Sequence, residues 1–284
     1  MTMDHQETAC NQHGLTDGRR DSQGAPSRDK KMGDPIAFAE DLEALVPSDA
    51  WIERTKEFGI ELEDREIELL GKYLAALMDV NTRTNLTAIR DAEQAWDRHI
   101  FDALTLVGVL HELPETDGRR RVIDVGSGGG LPGVPLAIVM GGVDFVLLDA
   151  TKKKTDFIER CGDWLGLGNL SVINGRAERV GRDPEHRGMY DGAMARAVGK
   201  VAMIAELTVP MVKVGGLVVL TKGEQAEEEL KQAKKALHML HTHHVGTVET
   251  PTGRVVVLEK QRTTPKMYPR KDGEPKRAPL GISG

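Results

Sequence analysis

The chain holds only two cysteines, Cys10 and Cys161, which lie far apart and form no metal-type pair. A disulfide scaffold and a cysteine-based zinc site are therefore not expected. No apolar run reaches the roughly 20 residues that a membrane-spanning helix needs. The first residues lack the apolar core of a secretory signal, so a reducing, cytoplasmic setting is expected. Basic residues are outnumbered, with Lys and Arg at 38 against Asp and Glu at 44 and a formal net charge of −6. A protein coated in basic surface is thereby excluded. His238, His241, His243 and His244 straddle a helix end and a strand start, with no carboxylate or cysteine at ligand spacing. They read as solvated side chains, and no metal is expected.

What is present begins with Val122-Ile-Asp-Val-Gly-Ser-Gly-Gly-Gly-Leu-Pro-Gly133. A short apolar run reads as a buried strand, and it ends in a loop with five glycines among eight residues. Glycine lets the backbone turn sharply and lets a ligand approach with no Cβ in the way. Pro132 suits the first turn of a following helix. Strand, glycine loop and helix N-terminus together make a nucleotide-type pocket.

Two registers compete. Gly128-x-Gly130-x-x-Gly133 fits a dinucleotide fingerprint, but only if the strand runs on through Gly126 and Ser127. Starting where the apolar run stops gives Asp124-x-Gly126-x-Gly128-x-Gly130, with a carboxylate inside the strand. That carboxylate suits a cationic or amine-bearing ligand and would repel a pyrophosphate. The pattern resembles motif I of class I S-adenosylmethionine (AdoMet) methyltransferases. Asp149 closes a second apolar run about twenty residues on, where an acid accepts hydrogen bonds from ribose hydroxyls. It could equally cap the helix that starts near Lys152.

The chain divides into four parts. Residues 1–35 are polar and poor in large apolar side chains, so a disordered extension is expected. Residues 36–117 are helical by pattern. Leu62, Ile67, Leu69, Leu70, Leu74 and Leu77 carry helical spacings, and a second helix is expected over 92–110. Residues 118–260 form the α/β core, and 261–284 a basic, Pro-rich tail. Core strands are expected at 121–125, 145–149, 170–174, 192–195, 217–221, 244–249 and 255–259. Helices are expected at 132–140, 152–165, 200–214 and 226–240. Alternation implies a mostly parallel sheet. The last two strands are too close for a crossover helix and must form an antiparallel hairpin. The expected fold class is α/β, and this mostly parallel sheet of seven strands with an antiparallel last hairpin, preceded by a helical region, resembles the Rossmann-like class I AdoMet methyltransferase fold.

Further stretches occur in order: Asn85-Leu-Thr-Ala-Ile89, Arg98-His-Ile-Phe-Asp102, Leu131-Pro-Gly133, Leu147-Leu-Asp149, Arg176-Ala-Glu178, Ala195-Arg-Ala197 and Lys222-Gly223. Together, over roughly 45–260, they resemble the bacterial 16S rRNA (guanine-N7)-methyltransferase family, also called glucose-inhibited division protein B. The Pro269-Arg-Lys-x-Gly-x-Pro275 tail is similar to that of many members. The resemblance implies methyl transfer from AdoMet to N7 of a guanosine in small-subunit rRNA, with AdoMet contacts at Gly126, Leu131, Ala177, Glu178 and Arg196. On the residues themselves, Asp124, Gly128, Gly130 and Asp149 join this set.

Arg196 could pair with a cofactor carboxylate, grip a phosphate or hold a guanine edge, or form an ion pair with Asp191. His99 and Lys222 are candidates for positioning the reactants, the alternatives being an inter-helix network and a solvated strand end. His99 and Asp102 are expected to share a helix face. The chain has no Pro-Cys nucleophile for pyrimidine C5. It also lacks the Asn/Asp-Pro-Pro-aromatic loop of exocyclic-amine methyltransferases, carrying Ala195-Arg-Ala-Val198 instead. The tail cations Arg270, Lys271, Lys276 and Arg277 read as a phosphate-binding arm, with Tyr268 a base-stacking surface. Removing the tail should then weaken RNA binding and spare cofactor affinity. The expected partner is 16S rRNA or the small ribosomal subunit, with the protein a monomer. A small-molecule methyltransferase and a nicotinamide-binding dehydrogenase are the competing readings.

Overall fold

The computed structural model describes residues 34–281. The disordered extension expected at the N-terminus lies, but for its last two residues, outside the described residues. The sheet comprises β1 (Arg120–Val125), β2 (Val143–Asp149), β3 (Leu170–Asn174), β4 (Tyr190–Arg196), β5 (Val212–Lys222), β6 (Thr242–Thr250) and β7 (Gly253–Lys260). Its spatial order is β3-β2-β1-β4-β5-β7-β6. The first five strands are mutually parallel, and β7 runs antiparallel to both neighbours. The apolar runs of β1 and β4 are what burial on both faces demands: Val122 to Val125 and Tyr190 to Ala195 are all buried.

Eleven α-helical segments occur among the described residues. Before the sheet come α1 (Asp49–Glu57), α2 (Asp64–Asn81), α3 (Ala92–Ala95), α4 (Asp102–Leu104) and α5 (Val107–His111). Within the sheet's crossovers lie α6 (Gly133–Val139), α7 (Lys152–Leu165), α8 (Ala177–Val180), α9 (Val201–Thr208) and α10 (Ala226–Met239), and α11 (Glu274–Arg277) comes last. A reciprocal capping box opens α2, where Glu63 N–H donates to the Glu66 carboxylate at 2.8 Å;. Leu70, Leu74 and Leu77 of α2 are fully buried against the sheet side that also carries α6 and α7. The other sheet face is covered by α9 and α10.

Two expected elements differ. The helix over 92–110 is interrupted: a π-helical turn, Trp96–Phe101, separates α3 from α4, and α5 comes after a break. A π turn inserts a residue and rotates the helix beyond it, yet His99 and Asp102 are both buried, with the charge of Arg196 bearing on each. The helix expected over 200–214 ends at Thr208, because a 3₁₀ turn carrying Pro210 leads straight into β5. Neither the four-residue α8 nor the folded end of the chain shows a periodic pattern long enough to read.

The strand order reverses between β1 and β4, since β2 continues on one side of β1 and β4 lies on the other. At such a switch point the two loops leave in opposite directions and open a crevice at the carboxyl edge of the sheet. The glycine loop after β1 and Arg196 at the end of β4 both stand there.

Candidate active site

The glycine loop owes its shape to positive φ at Gly126, Gly128 and Gly130. A Cβ on Gly126 would stand 2.9 Å from Val198 Cγ2, so only glycine keeps the wall between β1 and β4 open;. The loop is held from below. Asp124 Oδ2 accepts from Gly133 N–H at 3.1 Å. Asp149 accepts from Gly128 N–H at 3.0 Å and, through its other oxygen, from Thr151 N–H at 2.8 Å. Asp149 does not cap α7, whose N-cap is Thr151; it braces the two loops, and each carboxylate oxygen keeps an open lone pair for a ribose hydroxyl;. From α2, the fully buried Tyr73 donates to Gly129 O at 3.0 Å, joining the helical layer to the loop.

A cavity of about 260 Å³ adjoins the loop, walled by Gly126, Asp149, Ala177, Glu178, Val198 and Met203. Its size suits the adenosyl end of a nucleoside ligand. Glu178 Oε1 accepts from Gly273 N–H at 2.8 Å, which leaves Oε2 for an amine. Leu131 is half-buried beside the loop, and Gly130 packs under Val134. Gly126, Asp149, Ala177 and Glu178 thus line one cavity, with Asp124 and Gly128 bracing it.

Arg196 is the hub of the other half of the crevice. Its Nε lies 3.0 Å from Asp102 Oδ2, and Nη2 donates to the Arg98 carbonyl. The second Asp102 oxygen accepts from Thr252 Oγ1 at 2.5 Å, in the β6–β7 turn. Asp191, the alternative partner, instead binds Lys213 at 2.5 Å and Arg121 N–H at 2.8 Å. Ala197, next in the chain, is held at φ 54, a conformation costing a non-glycine residue roughly 1–2 kcal/mol;. Burial pushes the Asp124 carboxyl well above the usual range, opposed by the Gly133 N–H and by Arg196. Four buried atoms of the glycine loop, β1, β4 and the π turn have no hydrogen-bond partner: Asp124 Oδ1, Ser127 Oγ, Arg196 Nη1 and His99 Nδ1.

His99 is buried and its Nε2 lies 2.8 Å from Thr87 Oγ1, in the loop that Asn81 holds through Leu86 and Thr87 N–H. Burial first, and the Arg196 charge second, depress its pKa from 6.5 to about 4. The Arg98 backbone partly offsets this, although Nδ1 makes no bond of normal geometry. The imidazole is therefore neutral when folded at neutral pH. Between about pH 6.5 and 4 the unfolded chain binds a proton at this site that the folded chain refuses, so stability present above 6.5 is lost as pH falls through 4;. In His99→Gln the pH-dependent part of urea midpoints across that window should flatten; an unchanged slope would assign it to other groups.

Lys222 does not hang free at the strand end. It pairs with Glu229 at 2.7 Å and donates to Gly199 O, while Glu229 also accepts from Val201 N–H at 3.0 Å. Its visible role is to order the loop after Arg196.

The tail differs most from expectation. It folds back onto α8 and α9, held by core arginines: Arg187 donates to Tyr268 O at 2.8 Å and Thr264 O at 2.9 Å, and Arg182 to Pro269 O at 2.6 Å. Arg270 is not a phosphate contact, because its guanidinium is bidentate on the fully buried Glu206, at 2.9 and 2.7 Å. Tyr268 is buried and offers no stacking surface. Lys271, Lys276 and Arg277 remain exposed. Gly273 and Lys276 wall the cavity beside Glu178, so losing the tail should lower cofactor affinity rather than spare it. Arg270→Met would leave Glu206 as a buried, unpaired charge and should lower stability by about 3–5 kcal/mol. Wild-type-like thermal unfolding of that variant would refute the anchor.

Sequence reasoning missed Thr252 and Tyr73, which lie in no signature, and gave no role to Val198 or to the Arg98 carbonyl, although both residues stand in stretches singled out above. No helix among the described residues is long and apolar enough to cross a membrane.

The family described as GidB, rRNA small subunit methyltransferase G, matches residues 66–256. The Ribosomal RNA small subunit methyltransferase G of Sorangium cellulosum is 43% identical over 225 residues, covering 79% of this chain and 92% of that protein. Its namesake from Rubrobacter xylanophilus is 38% identical, covering 83% and 89%, and that of Lactococcus lactis subsp. lactis 34%, covering 82% and 98%. A solved methyltransferase from Geobacter sulfurreducens is similar over 75% of this chain and 98% of its own, at 14% identity and a TM-score of 0.49. The site's geometry and the length of these matches agree: this chain belongs to the rRNA small subunit methyltransferase G family and is an AdoMet-dependent methyltransferase.

Proposed function

We propose that this chain transfers a methyl group from AdoMet to N7 of a guanosine in 16S rRNA, working in the cytoplasm as a monomer. The observation that carries the reading is the corner where Asp124 Oδ1, Arg196 Nη1 and His99 Nδ1 are buried without partners. Asp124 is paired across β1 and β4 with Met194, two residues before Arg196, and the charge of Arg196 bears on both Asp124 and His99.

AdoMet supplies an electrophilic methyl group on a positive sulfur, and guanine N7 has a lone pair with no proton to lose. The residues therefore need only hold, align and dry the reactants. The carboxylates of Asp149 and Glu178 can take ribose hydroxyls and the adenine amine, with Gly126 and Leu131 as walls. Arg196, held on two edges by Asp102 and Arg98, has Nη1 left to donate. A donor on guanine O6 orients the base and leaves N7 free, whereas one on N7 would block the reaction. Neutral His99 adds no second positive charge beside the sulfonium. Exposed Lys271, Lys276 and Arg277 remain as phosphate contacts near the cavity mouth.

The test is transfer of radiolabel from AdoMet to purified small subunits and to naked 16S rRNA, followed by nucleoside analysis. Label eluting as 7-methylguanosine is expected. Label in another nucleoside would refute the N7 assignment, and AdoMet binding without transfer to any RNA would favour a small-molecule acceptor.

A further inference from the structure

A groove of about 590 Å³ runs along the seam between α10 and the edge strand β6, away from the crevice just described. On its helix side lie Lys231, Lys234 and His238, at steps of three and four residues that place them on one face, with His241 just past the helix end;. Across from them, His244 and Arg262 complete the rim, over a floor formed by Leu230 and Leu237. One carboxylate, Glu227, lines it. Among the described residues Lys231, Lys234 and Arg262 make no ion pair, unlike Arg270, Lys222 and Lys213. Three unneutralised cations side by side on a chain of net charge −6 call for an anionic partner;.

The position of the groove says which anion. α10 begins just past the end of β5, and Glu229 in its first turn holds Lys222 at the catalytic edge of the sheet. The helix then runs antiparallel to β5, so past its acidic first turn the basic face from Lys231 to His238 spans about 10 Å of the half toward the opposite edge;. The groove therefore leads away from the site where a base is methylated and is open along its length.

We propose that this groove is a second RNA contact, in which Lys231, Lys234 and Arg262 hold the phosphodiester backbone of an rRNA segment flanking the target guanosine. The inference rests on the rRNA reading above and adds to it a place and three residues. Each cation neutralises a phosphate and releases a counterion, so the contact acts on affinity and its salt dependence rather than on the methyl-transfer step. The apolar floor accommodates the sugar edge of the strand, and the stems of the two lysines cover it.

The test compares the wild-type protein with the Lys231→Ala/Lys234→Ala/Arg262→Ala variant, using naked 16S rRNA and small subunits at several salt concentrations. All three side chains are at the surface of the groove, and AdoMet affinity serves as the check that the variant is folded. The expected result is a rise of about tenfold or more in KM for both substrates, with kcat and AdoMet affinity unchanged. The log–log salt slope of RNA binding should fall by about 2, at about 0.7 per single-strand phosphate. An unchanged slope and KM would overturn the proposal while wild-type methylation of RNA upheld the parent reading. Weakened binding to subunits alone, with naked RNA unaffected, would assign the groove to a ribosomal protein and equally overturn it. A wild-type protein that methylates no RNA would remove both.

Discussion

Gly126→Val is expected to lower AdoMet affinity by more than about 100-fold while the chain stays folded. Gly126 has φ +79, where an L side chain costs roughly 1–2 kcal/mol;. Its Cβ would stand 2.9 Å from Val198 Cγ2, and the two valine methyls have no direction to take except the cavity wall or the crevice between β1 and β4. Every 1.4 kcal/mol is tenfold in affinity, so strain plus an occluded wall accounts for about two decades. Gly128→Val separates the two terms, because Gly128 shares the positive φ (+60) but meets no side chain closer than the Gly126 carbonyl at 4.0 Å. Its loss should be smaller. Calorimetric titration with AdoMet, beside a thermal melt of each variant, checks both. Equal affinities for wild type and Gly126→Val would mean that the cofactor does not pass this wall.

How far the site is legible in the sequence depends on the range of each interaction. Asp124, the three glycines and Asp149 are legible because local geometry governs them: a strand must end, a loop must turn, and a carboxylate must meet the N–H groups that the turn exposes. Strands β1, β2 and β4 are legible for a similar reason, as buried parallel strands need continuous apolar runs;. Partnerships across the fold are not. Arg196 meets Asp102, and Asp102 meets Thr252, only because the fold brings the end of β4, the interrupted helix and the β6–β7 turn together. A period-3.6 reading of residues 92–110 cannot foresee the π turn that re-aims Asp102. The tail misleads for a different reason. A run of cations looks solvated in sequence, yet Arg270 answers a buried Glu206 some sixty residues earlier, and Arg182 and Arg187 answer the tail's own carbonyls.

Arg196→Met should cut methyl transfer by about 10²–10³-fold, the size of losing one preorganised donor at the reacting group. It should also cost stability, because Asp102 keeps a side chain only 7% exposed and would lose its counter-charge;. The two effects have separate causes, and a second substitution divides them. In Arg196→Met/Asp102→Asn no charge is left buried without a partner, and the amide oxygen introduced at that position can still accept from Thr252. The double variant should therefore be more stable than Arg196→Met alone by at least about 1 kcal/mol, the usual coupling between groups in contact. Activity should not return with stability, since Nη1 is gone from the corner it shares with Asp124 and His99. If methylation recovered along with the melting temperature, Arg196 would be a structural tie between β4 and the helical layer, and the donor at the guanine would have to be sought elsewhere. If stability recovered and methylation did not, the guanidinium of Arg196 itself, and not the stability that its ion pair with Asp102 brings, would be what methyl transfer needs.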